Sequence, residues 1–456
     1  MTDSSRSSFF FNFERTKFAP DDSKPLPVKL AEMMQVYDCV LSRDCRRILC
    51  HVKPRFKKSE HETCSIWIAD VDVPELAHPF IFKSGSYNDT NGRFHPDGQN
   101  VVFLSDRPWP GDPKRLFIVS INGGMPRAFL GTDNKNPVAS FAISPNGQYI
   151  AFLNADILRN PDQGSDEYSY QNKMSPMRLR LYSFSTQNVQ NVQDQNVATG
   201  ARSVRFMVWS SDSKSIAWIS TRHEAPEFWV GDIRFIITSI SEDKPVLAYM
   251  SSIVYARLPG EKGEFIWPIN STLYEIQKYN PSSSVGANRL CIRGVEASMQ
   301  RSYLYGDFED VVAIVDLMSD GLIAVEIASN LNSRVDVLQQ GEKLITLYET
   351  TDNAITAWHA LRREDKKYVF VAILSSASRQ EPPNIWSSII DENGLASPCV
   401  KLARLSEWWS HSLNLSTEIF EYKSIGGIDL SGLITYPAEG TNVTKPYPTI
   451  LLLHDG

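Results

Sequence analysis

Apolar runs of four or five residues alternate with polar turns along the first half of the chain. The clearest run, Val101–Leu104, follows the sequence His95-Pro96-Asp97-Gly98. In such a turn proline presets φ, the aspartate side chain hydrogen-bonds to the backbone two residues later, and glycine accepts a positive φ. The motif therefore predicts a tight reversal between two antiparallel strands. The same order of apolar lead, turn and β-rich run recurs around Asp44, Asn146 and Asp212.

These repeats have the spacing of propeller blades. A third strand follows most of them, as in Leu116–Val119. The turn positions Asp44, Asp97, Asn146 and Asp212 are 53, 49 and 66 residues apart, close to the length of one four-stranded blade plus loops. A four-stranded sheet cannot bury both of its faces alone, whereas radially arranged sheets cover one another. The repeat therefore predicts a β-propeller.

The second half of the chain continues as strands with weaker turn signals. Its β-rich runs leave room for three more blades, so we predict an all-β fold with seven blades over residues 25–417. The strands predicted in this half are Arg234–Ser239, Val246–Tyr255, Val311–Leu317, Leu322–Ile327, Leu344–Tyr348 and Tyr368–Leu374.

Three further segments are predicted to lie outside the blades or at their edges. Residues 1–24 predict a mobile tail, and the helix formers at Leu30–Met34 predict a short helix before the first blade. The polar tracts Arg159–Met177 and Gln187–Asn196 predict surface loops, because they contain too few apolar residues to contribute to a core.

Composition excludes several classes of function. The formal net charge is −7, so the chain has no basic excess with which to bind a nucleic acid backbone. No stretch has the apolar length of a signal peptide or a membrane-spanning helix. We therefore expect a cytoplasmic protein without a nucleic acid or membrane partner.

Four of the six cysteines crowd the front of the chain and raise the question of a metal site. Cys39, Cys45, Cys50 and Cys64 lie near His51 and His61, but they lack the close Cys-x2–4-Cys pair typical of zinc sites. Buried free thiols in strands account for them better than ligands do. We therefore predict no metal site and no cofactor.

The end of the chain carries a more specific signal. Ser378–Trp386 places paired prolines before an aliphatic-aromatic pair, and Phe420–Pro437 contains two β-rich runs around a Gly-Gly turn. The chain then reaches an apolar run, Ile450–Leu453, followed by His454-Asp455-Gly456. Together with the blades, these segments resemble the prolyl oligopeptidase family of serine peptidases, specifically its acylaminoacyl-peptidase and dipeptidyl-peptidase-V-like branch.

The resemblance implies a propeller followed by an α/β-hydrolase domain, whose first strands would be residues 418–456. In relatives a His-Gly-Gly sequence after the buried strand supplies part of the oxyanion hole. His454, Asp455 and Gly456 are the corresponding positions here, with Asp455 in place of the first glycine. The chain contains no G-x-S-x-G motif, and the family's catalytic Ser, Asp and His all follow this strand. We therefore expect these 456 residues to be catalytically inactive.

The same resemblance implies short peptides as partners, cleaved in relatives to release acyl-amino acids or dipeptides from their amino termini. Some relatives bind the substrate's amino terminus through acidic residues of the propeller, and Glu224 and Glu227 are candidates for that role. Solvated loop carboxylates are the alternative interpretation of these two residues. A non-catalytic propeller that binds other proteins is the alternative for the chain as a whole. The sequence indicates no oligomeric state.

Overall fold

The computed structural model describes most of the chain. One short helix precedes thirty strands in this part of the protein. Twenty-eight strands form seven four-stranded antiparallel sheets, and the last two form a separate hairpin. The described residues are 23–56, 61–128, 137–155, 177–187, 189–191, 203–221, 233–241, 244–253, 265–269, 272–278, 287–294, 302–305, 309–329, 331–376, 381–405, 416–427, 429–437, 447 and 449–451.

The first four blades follow the four copies of the turn motif. Blade 1 contains β1 (Met34–Leu41), β2 (Arg47–Pro54), β3 (Ser65–Asp70) and β4 (His78–Pro79). Blade 2 contains β5 (Thr90–Phe94), β6 (Asn100–Ser105), β7 (Arg115–Ser120) and β8 (Arg127–Ala128). Blade 3 contains β9 (Val138–Ile143), β10 (Tyr149–Ala155), β11 (Met177–Ser183) and β12 (Val189–Asn191). Blade 4 contains β13 (Ser203–Trp209), β14 (Ser215–Thr221), β15 (Ile233–Ser241) and β16 (Lys244–Ile253).

Three more blades and the hairpin complete the structure, which confirms the predicted count of seven. Blade 5 contains β17 (Phe265–Ile269), β18 (Thr272–Lys278), β19 (Asn288–Gly294) and β20 (Ser302–Tyr305). Blade 6 contains β21 (Asp310–Asp316), β22 (Leu322–Ser329), β23 (Asn332–Gln339) and β24 (Glu342–Thr350). Blade 7 contains β25 (Asn353–Arg362), β26 (Tyr368–Ser376), β27 (Glu381–Ile390) and β28 (Val400–Lys401). The hairpin pairs β29 (Ser416–Lys423) with β30 (Asp429–Tyr436).

The predicted turns have the expected chemistry. Ser42, Ser144 and Ser210 each donate a hydroxyl hydrogen bond of 2.6–2.7 Å to the Asp or Asn two residues later. Positive φ values occur at the fourth position of every copy, including two copies that lack glycine there: Cys45 (57°), Gly98 (68°), Gly147 (71°) and Ser213 (63°). The side-chain hydrogen bonds therefore maintain the turn even where the residue type is unfavourable for that φ.

Successive strands of each blade run in opposite directions, so the connections between them lie on two opposite faces of the molecule. Each blade is a simple meander, so the first turn of every blade opens on one side, which we call the turn face. The opposite side is the linker face, because β28 ends there and residues 406–415 then lead to β29. The first strands of successive blades contact one another, with β25 against β1 and β21 against β25. These strands therefore surround the central axis, as in other propellers.

Apolar side chains between adjacent blades form the core. Trp218, Phe103 and Phe152 are among its largest fully buried members. Between blades 7 and 1 the core contains Val36, Cys39 and Val371. No strand is shared between these two blades. Two backbone hydrogen bonds join their outer edges instead, from Glu75 N to Lys401 O (2.9 Å) and from Ala77 N to Leu402 O (3.0 Å).

Two local predictions were wrong in detail. The helix α1 spans Leu26–Glu32 rather than Leu30–Met34, because prolines are tolerated in a first helical turn while Met34 pairs with Pro54 in blade 1. Part of the polar tract at Gln187–Asn196 is β12, which pairs with β11. An outermost strand is held by backbone hydrogen bonds, so it needs no apolar pattern. The other polar tract, Arg159–Met177, lies outside the described residues except for Met177.

The hairpin differs from the blades in that none of its described strand residues is fully buried, and Ile419, Phe420 and Leu433 are exposed on its strands. Within the described ranges, no helix is long and apolar enough to cross a membrane.

Candidate functional site

The residues predicted to act on a substrate lie outside the described part of the chain. This applies to His454, Asp455 and Gly456 and also to Glu224 and Glu227. The flanking strands give one relevant fact about the glutamates. β14 ends at Thr221 and β15 begins at Ile233, and both of these strand ends lie at the linker face.

Every innermost strand carries an irregularity in its pairing with the neighbouring strand, a feature that the sequence does not reveal. At each irregularity the innermost strand has one residue more than the strand it pairs with, as in a β-bulge. A bulge changes the direction in which the neighbouring side chains point. The central axis is therefore surrounded by seven equivalent irregularities. They fall between Val36 and Asp38, Thr90 and Arg93, Val138 and Ser140, Val204 and Phe206, Ile266 and Ile269, Val311 and Ala313, and Ile355 and Ala357.

A polar cluster lies beside two of these irregularities, where blades 1 and 2 meet the axis. The guanidinium Nη1 of Arg93 donates to Asp38 Oδ2 (3.2 Å) and to the carbonyl of Gly92 (2.8 Å). The buried His51 ring accepts a hydrogen bond at Nε2 from Gly92 N–H (2.7 Å). Its Nδ1 lies 3.3 Å from Asp38 Oδ2, in a contact too poorly aligned for a good hydrogen bond. Because Nε2 is occupied by a backbone donor, His51 is not placed to act as a general base.

Blade 7 adds a second histidine to this cluster. The pKa of His359 is lowered to about 4, mainly by burial and also by the positive charge of Arg93, while the carboxylate of Asp38 opposes these effects. Its Nδ1 is buried without a hydrogen-bond partner among the described residues. Burial raises the pKa of Asp38, but Arg93 and His51 lower it by more, so this pKa lies well below its usual range. At neutral pH the cluster therefore contains a carboxylate, a guanidinium and an uncharged imidazole.

The cysteines of blade 1 are buried free thiols, as predicted. Cys39 and Cys50 face each other across β1 and β2. Burial raises the pKa of the Cys64 thiol to about 12, and its sulfur lies 3.1 Å from the Tyr37 hydroxyl. Thiols held protonated are poor metal ligands. In the part of the chain that the structure describes, no three His, Cys, Asp or Glu side chains are grouped to hold a metal ion.

A polar pocket of about 420 Å³ opens at the linker face between blades 1 and 2. Its wall includes Asp106, whose two carboxylate oxygens accept hydrogen bonds from the backbone N–H groups of Asn88 and Gly111 (both 2.8 Å). The ring of His61 packs so closely on Gly111 that a Cβ there would lie 2.5 Å from it. The pocket is therefore shaped by backbone contacts, and Asp106 has a structural role in it.

A buried ion pair joins the residues that follow Asp106 and Asn88, both of which line this pocket. Arg107 donates to both oxygens of Asp89 at 3.2 and 2.8 Å, and its guanidinium lies 4.2 Å from the ring centroid of Tyr87. The hydroxyl of Ser105 donates to the same carboxylate (2.7 Å). With both charges paired and hydrogen-bonded, this cluster ties the loop after β6 to the start of β5.

The contacts of His95 are with the backbone of two turns. Its Nδ1 accepts from the backbone N–H of Asp97 (3.3 Å), and its Nε2 lies 3.1 Å from the carbonyl of Gly147 in blade 3. Arg43 also reaches blade 3, where it donates to the carbonyl of Pro145 (3.2 Å). Hydrogen bonds between turns of different blades therefore stabilise the turn face.

Comparison with known proteins gives similarity of fold. No protein-family model and no curated protein sequence matches the chain. Among solved structures, a variant of prolyl oligopeptidase B from Galerina marginata, bound to a 25mer macrocyclization substrate, gives a TM-score of 0.58 at 10% identity. The match covers 89% of this chain and 56% of that one.

Two further peptidases match to the same extent. A puromycin-hydrolyzing peptidase from Mycobacterium tuberculosis gives a TM-score of 0.57 at 11% identity, over 89% of this chain and 59% of its own. An acylaminoacyl peptidase from Pyrococcus horikoshii gives a TM-score of 0.56 at 11% identity, over 89% of this chain and 58% of its own. The present chain thus spans little more than half the length of these proteins. It has the propeller fold found in peptidases of the prolyl oligopeptidase and acylaminoacyl peptidase type.

Proposed function

We propose that the chain forms the propeller of a serine peptidase of the prolyl oligopeptidase family, in the acylaminoacyl-peptidase and dipeptidyl-peptidase-V-like branch. The observation that carries the proposal is the fold similarity over 89% of the chain to peptidases that are much longer. On this proposal the protein acts in the cytoplasm on short peptides and releases acyl-amino acids or dipeptides from their amino termini.

The terminal hairpin supports this assignment. It follows blade 7 at the linker face, and Ile419, Phe420 and Leu433 are exposed on its strands. Exposed apolar side chains on an isolated hairpin are costly unless another element covers them. Residues 418–456 are therefore proposed as the first strands of an α/β-hydrolase domain, with 25–417 as the propeller. His454, Asp455 and Gly456 would contribute to its oxyanion loop.

The proposal assigns a passive role in catalysis to the 456 residues themselves. No G-x-S-x-G sequence occurs in them, so they offer no nucleophile elbow. The propeller would select substrates by size at the linker face, where the connection that contains Glu224 and Glu227 also begins and ends. These two carboxylates are proposed to bind a peptide ammonium group.

The test compares the 456-residue chain with a product extended by the downstream coding sequence. We expect the shorter chain to show no hydrolysis of chromogenic acyl-amino-acid or dipeptide substrates and no labelling by a fluorophosphonate. The extended product should be labelled at one serine within a G-x-S-x-G sequence. Site-specific labelling of the shorter chain would overturn the proposal, as would an extended product that binds no fluorophosphonate.

One observation favours the alternative of a protein-binding platform. Trp109 is 70% exposed on the loop after β6, beside the polar pocket of the linker face. Exposed tryptophans are frequent anchors of protein interfaces. If the chain is a platform, Trp109→Ala should abolish capture of a folded partner, whereas under the peptidase proposal it should alter only how peptides are selected.

A further inference from the structure

We propose that Arg93 and His359 form a carboxylate-binding site in the wall of the central channel, suited to a carboxylate group of a peptide. The inference deepens the proposed function, because it assigns a ligand class to the propeller, but it concerns binding alone. It can therefore be tested without any hydrolytic activity.

The first argument is the unused hydrogen-bonding capacity of Arg93. Its Nη1 is fixed by Asp38 Oδ2 and by the Gly92 carbonyl. Among the described residues, Nε and Nη2 have no hydrogen-bond partner, and neither atom is buried without one. These two nitrogens form the edge of a guanidinium that binds a carboxylate through two parallel hydrogen bonds.

The second argument is that Arg93 is held in place before any ligand arrives. Gly92 is tied to His51 through its N–H group, and a Cβ at Gly92 would lie 3.0 Å from the Ile66 side chain. The carboxylate of Asp38 keeps its charge, because Arg93 and His51 lower its pKa by more than burial raises it. A fixed guanidinium loses less conformational entropy on binding than a mobile one.

The third argument is the position of His359 on the innermost strand of blade 7. This strand contacts β1, and the sulfur of Cys39, the residue after Asp38, lies 4.0 Å from the carbonyl of Val371, which pairs with His359. Because its imidazole is uncharged at neutral pH, it can donate one N–H group to a ligand oxygen without adding another charge. A carboxylate with two bonds from Arg93 and one from His359 would then have three donors, supplied by two different blades.

The fourth argument is that the cluster opens on the channel. Arg93 is 40% and Asp38 30% exposed, although both lie on innermost strands. Beyond them the turn face is braced by bonds between blades, from Arg43 to Pro145 and between His95 and Gly147. Arg93 lies one residue before the end of β5 at the turn face, so a peptide that enters from the linker face would reach it deep in the channel.

The carboxylate could be the peptide's carboxyl terminus or an acidic side chain, and three probes separate these sources. The first is acetyl-Gly-Gly-Gly with a free carboxyl terminus, and the second is its carboxyl-terminal amide. The third is acetyl-Gly-Asp-Gly amide, which carries only a side-chain carboxylate. Binding to the 456-residue chain is measured by isothermal titration calorimetry, with sodium acetate as a competitor.

We expect the free acid to bind about tenfold more tightly than its amide, the effect of one or two charge-assisted hydrogen bonds. Arg93→Lys keeps a positive charge beside Asp38 but removes the pair of N–H groups that would bind the carboxylate. The affinity for the free acid should therefore fall about tenfold. His359→Gln should lower the affinity for the free acid by a smaller factor. Equal binding of the third probe would show that the site accepts any peptide carboxylate.

Arg47→Gln is the matched control. Arg47 is 39% exposed, lies in blade 1 and also pairs with one aspartate, Asp70, but it is not on an innermost strand. This variant should bind the free acid as the unmodified chain does. The proposal is overturned if the free acid does not bind, if acid and amide bind equally, or if Arg93→Lys leaves binding unchanged while circular dichroism shows that it is folded. Failure here would leave the peptidase proposal standing, because fluorophosphonate labelling tests that separately.

Discussion

The propeller and the terminal hairpin are built from similar strands but are stabilised in different ways. Blade strands such as β26 are buried along almost their whole length, whereas β29 and β30 are partly or fully exposed wherever burial is defined. Both sets pair in good antiparallel register. Pairing alone therefore does not bury apolar surface, and it is the packing of blade on blade that stabilises the propeller.

The largest difference in stability between the propeller and the hairpin should come from removing one large aromatic side chain in each part. Trp218 is fully buried in blade 4, and its Nε1 donates to Thr238 Oγ1 (3.0 Å). Trp218→Ala should lower the free energy of unfolding by about 3–5 kcal/mol. Phe420→Ala in the exposed hairpin should change it by less than about 0.5 kcal/mol. Urea denaturation of both variants measures the difference, and equal effects would refute the comparison.

Ion pairs should show the same contrast on a smaller scale. Arg107→Met leaves the buried Asp89 carboxylate unpaired and should cost about 3 kcal/mol. Lys423→Met removes an ion pair whose members are 69% and 81% exposed, and it should cost less than about 1 kcal/mol. Thermal melts at low and at high salt test this, since only the exposed pair should respond strongly to salt.

Titration should reveal two buried groups of the propeller that act in opposite directions. The pKa of His359 is lowered to about 4, so acid favours the unfolded state as the pH falls from about 6.5 to 4. Burial raises the pKa of Asp316 to about 6, so its contribution to stability is lost as the pH rises towards 6. Relative to the unmodified chain, the melting temperature of His359→Gln should therefore rise as the pH falls from 6.5 to 4, and that of Asp316→Asn should fall. Parallel curves for the two variants would contradict these assignments.

The smallest effect should come from deleting the hairpin. Removal of residues 416–456 should leave the melting temperature of the propeller unchanged, because no described residue of β29 or β30 belongs to the buried clusters of the blades. Solubility should improve as Ile419, Phe420 and Leu433 are removed. A fall in solubility would mean that the hairpin has a packed partner within the chain.

Local chemistry explains how much of this fold could be predicted from sequence. The turns at Asp44, Asp97, Asn146 and Asp212 depend on residues within five positions of one another, so their geometry followed from the motif. Blade 5 has no comparable turn motif, and the sequence predicted none of its four strands. Its place was inferred only from the space left in the chain.

The polar cluster could not be predicted in the same way. Asp38 and Arg93 are 55 positions apart, and His359 belongs to the blade that closes the ring. Their proximity depends on the register irregularities and on the contact between blades 7 and 1. Neither feature leaves a signal in residue spacing. The predicted Glu224 and Glu227 remain a hypothesis, as does the oxyanion role of His454.

The absence of a shared strand between blades 7 and 1 has a consequence for how the chain could be rewired. Each blade is one uninterrupted segment, and the two segments joined by the Glu75 to Lys401 and Ala77 to Leu402 bonds are the first and last in the ring. A short peptide could therefore join Leu405 to Lys24, and new termini could be opened between any other two blades. Circular permutants of this kind should retain the ring, because none of them divides a sheet.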